Sequence, residues 1–105
     1  MKKEDTPWSQ GVLLVCTKCH KSIDASKLKE DGNAGENLKT YLKKKFKDDG
    51  DLDKIRIVTS SCLDVCIDNE QAVAYASTNG KTETFILHPE KDREELYQNL
   101  KHKIK

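Results

Sequence analysis

Two short runs of β-forming residues each lead into a closely spaced pair of cysteines, and this arrangement constrains the fold more than any other feature of the chain. Val12-Leu13-Leu14-Val15 ends at Cys16, with Cys19 three residues on; Ile55-Arg56-Ile57-Val58 passes through Thr59-Ser60-Ser61 to Cys62 and Cys66. Such continuous apolar runs suit strands covered on both faces. Between them, Leu38, Leu42 and Phe46 recur at four-residue steps beside Tyr41, with Lys39, Lys43 and Lys47 on a separate stripe. That period predicts an amphipathic helix over residues 36–47. Asp48-Asp49-Gly50 should end it, the glycine taking a left-handed conformation. Residues 20–35 hold Asp24, Ser26, Asp31, Gly32, Asn33 and Gly35 around only two sizeable apolar side chains, Ile23 and Leu28, and read as mostly loop with room for one helical turn. A strand-helix-strand unit within one sheet crosses over right-handed, leaving its strands parallel with their C-terminal ends on one rim. Both cysteine pairs are therefore expected at that rim.

The second half continues the same sheet. Residues 72–78 and 81–87 are β-prone and joined by Asn79-Gly80, a pair that favours a type I′ hairpin turn. Pro89 stands where a helix begins, Glu90, Asp92, Glu94 and Glu95 crowd its first turns, and Leu96, Leu100 and Ile104 recur every four residues ahead of Lys101, Lys103 and Lys105. The residues thus spell β-α-β-β-β-α, an α/β domain with one layer of sheet and helices against it. At 105 residues there is room for one core. Residues 1–10, with Pro7 and little apolar content beyond Trp8, read as a flexible N-terminal tail that frays or packs one indole on the surface, and residues 11–105 as the domain.

Composition narrows the function classes. Lys plus Arg total 19 and Asp plus Glu 18, a formal charge of +1 that provides no global field for nucleic acid or an anionic membrane. The longest apolar run, Val12 to Cys16, is five residues, against roughly 20 for a membrane span. Met1-Lys2-Lys3 leads into Glu4 and Asp5 rather than an apolar signal region, so a cytoplasmic protein is expected. In that setting four cysteines point to metal ligation or redox thiols rather than structural disulfides.

Two cysteine pairs with two and three intervening residues, each on a loop at one end of a sheet, provide what a four-thiolate site needs. Soft thiolates select zinc, iron or an iron-sulfur cluster, and no carboxylate array competes for a hard cation. A dithiol oxidoreductase without metal is the third option. Such enzymes carry a cis-proline before the final hairpin, where this chain has Asp68-Asn69-Glu70-Gln71-Ala72, and they start a helix at the second cysteine, where this chain reads as loop.

Leu13-Leu14-Val15-Cys16-Thr17, the helix with Asn37-Leu38-Lys39, the run Ile57-Val58-Thr59-Ser60-Ser61-Cys62-Leu63-Asp64-Val65-Cys66, and the closing hairpin and helix together resemble the thioredoxin-like [2Fe-2S] ferredoxin family over most of residues 11–104. The resemblance implies a thioredoxin-like β-α-β-β-α domain with one mixed four-stranded sheet and helices packed against it. It further implies a [2Fe-2S] cluster held by Cys16, Cys19, Cys62 and Cys66, no enzymatic activity, one-electron exchange with a redox partner protein, and homodimerisation. The chain differs from that pattern in having only Thr17 and Lys18 between its first cysteines, Asp64 where glycine is usual, and Asn69-Glu70 in place of a small residue and proline.

Other residues carry plainer readings. His20 and His88 could ligate, but four thiolates complete the count and both are left as surface groups. Lys43, Lys44, Lys45 and Lys47 share a helix with a buried face and have no interleaved aromatics for base stacking, so they read as a solvated face. Lys18 and Lys21 flank the cysteines, where they either offset negative charge or steer a partner, or serve as ordinary surface lysines.

Overall fold

The computed structural model describes residues 1–63, 65 and 67–104; Asp64, Cys66 and Lys105 lie outside the described residues. The elements are β1 (Gly11–Cys16), a 3-10 helix (Lys18–Ser22), a second 3-10 turn (Ala25–Lys27), α1 (Ala34–Asp48), β2 (Ile55–Ser60), β3 (Gln71–Ser77), β4 (Thr82–Leu87) and α2 (Arg93–Lys103). The strands form one sheet in the order β2-β1-β3-β4. β1 is parallel to β2 and antiparallel to β3, and β3 is antiparallel to β4. This mixed four-stranded sheet, with both helices against it, is a thioredoxin-like architecture. Its order is the β-α-β-β-β-α read from the residues, one strand more than the order implied by the resemblance. Among the described residues no helix is long and apolar enough to cross a membrane.

Alternation along the strands divides the sheet into two faces. Leu13, Val15, Ile55, Ile57, Val73, Tyr75 and Leu87 face α1 and α2, which contribute Leu38, Leu42, Phe46, Leu96, Tyr97 and Leu100, joined by Ile104 just past α2, to one core cluster. Phe46 and Tyr97 join the helices to each other, their ring centroids 5.0 Å apart. On the other face lie Val12, Leu14, Arg56 and Val58, and Trp8 stacks on the Arg56 guanidinium at 5.1 Å. Backbone bonds from Ser9 to the Asp53 carbonyl (3.0 Å) and from Gln10 to the Lys54 carbonyl (2.7 Å) lead the chain into β1.

Several local expectations are corrected. α1 begins two residues before the predicted start, because Asn33 caps it, its side-chain oxygen accepting from the Gly35 and Glu36 amides. It ends as expected, with Gly50 at φ 76°. There the Gly50 amide donates to the Lys47 carbonyl and the Asp51 amide to the Phe46 carbonyl, the paired bonds of a Schellman motif. The hairpin turn is not type I′, since Gly80 has positive φ but Asn79 does not. The Gly80 amide bonds the Ser77 carbonyl and the Ser77 amide bonds the Lys81 carbonyl, closing a three-residue loop with a glycine bulge. α2 starts at Arg93 rather than Pro89, because His88 Nδ1 accepts from the Glu90 and Lys91 amides and holds that stretch as a turn.

Candidate functional site

The β1–β2 register sets Cys16 opposite Ser60. Pairing runs one residue further, where the Thr17 amide and hydroxyl both donate to the Ser60 carbonyl at 2.9 and 3.0 Å. The first cysteine of each pair therefore leaves the sheet at the same rim, as the parallel crossover requires. The 3-10 helix then folds Cys19 back over the sheet. Cys16 is 2% and Cys19 4% exposed; with Ala72 they form a small cluster on the face away from the helices, covered by half-buried Leu63, Val65 and Ile86. Cys62, two residues beyond Ser60, is exposed.

Hydrogen-bond donors converge on the two buried sulfurs. Burial pushes the Cys16 thiol up, but the Cys19 side chain and the backbone amides of Cys19, Lys18 and Leu63 outweigh it and hold Cys16 below its ordinary value of 9.0. When protonated, Cys16 donates to the Ser61 carbonyl at 3.6 Å. Cys19 Sγ accepts from the Ala72 amide at 3.5 Å. A concavity lined by backbone amides favours negatively charged sulfur.

The surrounding residues fix this loop from three sides. From α1, Asn33 Nδ2 donates to the Thr17 carbonyl (3.0 Å) and the Ala34 amide donates to His20 Nδ1 (3.2 Å), so the helix N-terminus is fastened to the cysteine loop. Gly35 presses against it: a Cβ there would stand 2.6 Å from the Cys16 carbonyl oxygen. From the turn before β3, Asn69 adopts φ 64°, a left-handed conformation that asparagine tolerates. Its amide donates to the Ser22 carbonyl and its Oδ1 accepts from the Asp24 amide, each at 2.9 Å. From β3 itself, the buried Gln71 donates through Nε2 to the carbonyls of Cys16 (2.7 Å) and Ala72 (2.9 Å).

Of the four predicted ligands, Cys16 and Cys19 are brought together, Cys62 stands exposed at the same rim, and Cys66 lies outside the described residues. Among the described residues no group of three or more His, Cys, Asp or Glu side chains is gathered for a metal ion. His20 and His88 both accept backbone hydrogen bonds through Nδ1, and His88 Nε2 lies 3.2 Å from the Lys27 carbonyl, giving both rings structural work. Lys18 and Lys21 are exposed beside the cysteines. One expectation changes: Cys19 sits in a 3-10 helix rather than a loop, so helix position no longer separates this chain from a dithiol oxidoreductase. Both thiols are buried, whereas thiol-disulfide exchange uses an accessible sulfur. The part that Gly35, Asn69 and Gln71 play in this site is not read from the sequence. Asn33 with Glu36 three residues later was the available sign that the helix starts beside Gly35; Gln71 has no comparable signal.

No curated protein matches the chain, and no solved structure does. A family model described as "Protein of unknown function (DUF1636)" matches residues 13–103, from β1 to the last residue of α2 and across both cysteine pairs. The chain belongs to that family.

Proposed function

We propose that the protein is a small cytoplasmic electron carrier in which Cys16, Cys19, Cys62 and Cys66 hold a [2Fe-2S] cluster. The observation that carries this reading is the set of backbone amides aimed at the sulfurs of Cys16 and Cys19. Donors to ligating sulfur stabilise its negative charge and raise the potential of the centre it serves. Such a cluster supplies one-electron exchange. The chain's own part is to present thiolate sulfur, keep water from Cys16 and Cys19 with Leu63, Val65 and Ile86, and leave the Cys62 side open to a docked redox protein. Near-neutral net charge predicts weak long-range steering of that partner.

The test is visible absorption and electron paramagnetic resonance of anaerobically isolated protein before and after one-electron reduction. A coloured oxidised form and a paramagnetic reduced form are expected, both lost in Cys16→Ser and Cys19→Ser. A colourless, zinc-loaded protein would replace this reading with a structural or sensory zinc-binding module on the same thiolates. The hydrogen bond between the Cys16 and Cys19 side chains favours a second reading, a dithiol redox protein. Metal-free protein as isolated, with two thiols lost on mild oxidation and regained on reduction, would select it.

A further inference from the structure

We propose that Gln71 is the positioning residue of the cysteine site: its buried carboxamide locks the Cys16 carbonyl to the start of β3, fixing the two buried sulfurs before any metal arrives. This rests on the reading above only for the metal-loaded comparison below. Gln71 is fully buried and, among the described residues, is the one polar or charged residue in a core otherwise built from apolar ones. Strand alternation sets it on the same face as Val73 and Tyr75, where an aliphatic residue would pack without any polar group to satisfy. Among the described residues its amide is bonded on one side only: Nε2 donates to the carbonyls of Cys16 and Ala72, whereas Oε1 has no partner there. An unmatched buried acceptor destabilises a fold, so packing alone gives no reason for an amide here.

Its neighbour completes the grip. The Ala72 amide donates to Cys19 Sγ, so consecutive residues of β3 hold both cysteines, one through a carbonyl and one through sulfur. β3 pairs with β4 from Gln71 to Ala76 and with β1 only from Val73 to Ser77, so Gln71 and Ala72 are anchored by β4 just where β1 has ended. The Cys16 carbonyl is also hemmed in by Gly35, which leaves no room for a Cβ. With that peptide fixed, the following amides of Lys18 and Cys19 stay aimed at the Cys16 sulfur.

The test uses the full chain, reduced and metal-free, with iodoacetamide as probe and modification at each cysteine followed by mass spectrometry. Gln71→Met keeps the length of the side chain and removes the donors. It is expected to speed alkylation at Cys16 and Cys19 by about tenfold, the shift expected from one or two lost buried hydrogen bonds. Leu96→Ala, a cavity in the helix-side core, should lower the thermal midpoint at least as much yet speed these cysteines less. Equal acceleration in the two variants, or none in Gln71→Met, would overturn the proposal. Should Gln71→Met fail to fold, nuclear magnetic resonance of the wild-type chain decides. Slowly exchanging Gln71 side-chain protons that shift when the cysteines are alkylated support the clamp; fast-exchanging, unshifted ones contradict it. Iron uptake separates the two claims. A wild-type chain that takes up no iron ends the carrier reading and leaves the alkylation result standing. Gln71→Met protein with wild-type iron content and wild-type potential counts against the clamp even if the carrier reading holds.

Discussion

Under α1 and α2 the sheet is sealed by large apolar side chains, whereas at the rim of β1 and β2 the described residues that cover two thiols are Ala72 and half-buried Leu63, Val65 and Ile86. The first region is held by area removed from water and the second by directed hydrogen bonds. Stability and cysteine chemistry are thereby separated in space, and substitutions should divide accordingly. The largest effect is expected in the helix-side core. Phe46→Ala, emptying a fully buried position against Tyr97, should cost ~3–5 kcal/mol in denaturant unfolding. In whatever fraction remains folded, the alkylation pattern of Cys16 and Cys19 should stay that of the wild type.

Gly35→Ala should break the separation, because it strikes the rim from the helix side. The added Cβ meets Cys16 backbone atoms, which cannot swing aside as a side chain would. A loss of roughly 1–3 kcal/mol is expected, measured by thermal unfolding, together with faster alkylation of Cys16. Asn33→Ala comes next, at about 1 kcal/mol for the lost helix cap. It also removes the bond to the Thr17 carbonyl, so it should loosen the cysteine loop while leaving the rest of α1 intact, as amide hydrogen exchange would show.

The smallest effect lies in neither region. Burial pushes the Glu90 carboxyl up, but the amides of Lys29 and Glu30, with Arg93 and His88 nearby, outweigh it and hold it below its ordinary value of 4.5. A carboxyl lowered by folding contributes stability above its unfolded value and loses that contribution as the pH falls through the lowered one. The thermal midpoint of the wild type should therefore drop below about pH 4.5. In Glu90→Gln that acid limb should be shallower.

The sheet and helices were legible because apolar periodicity reports burial directly: Leu38, Leu42 and Phe46 mark one helix face, and Leu13 and Ile57 mark paired strands. Placing Cys16 and Cys62 at one rim followed from the parallel crossover alone. What the residues did not disclose depends on backbone contacts between distant segments. Asn79-Gly80 is compatible with several turns, and the flanking strands selected the glycine bulge. Residues 18–27 lack apolar period, yet bonds from Asn69 to Ser22 and Asp24 organise their chain into two short helices. The contrast between buried Cys16 and Cys19 and exposed Cys62 comes from that same folding-back, and the buried Gln71 could be recognised only once the Cys16 carbonyl was seen beside it.

Iron, zinc and acid-labile sulfide counted per chain in protein isolated without oxygen test the central claim most directly. The account predicts iron and sulfide in equal amounts, about two of each per chain, with negligible zinc. Protein that carries neither iron nor sulfide, even after anaerobic reconstitution with both, would contradict it.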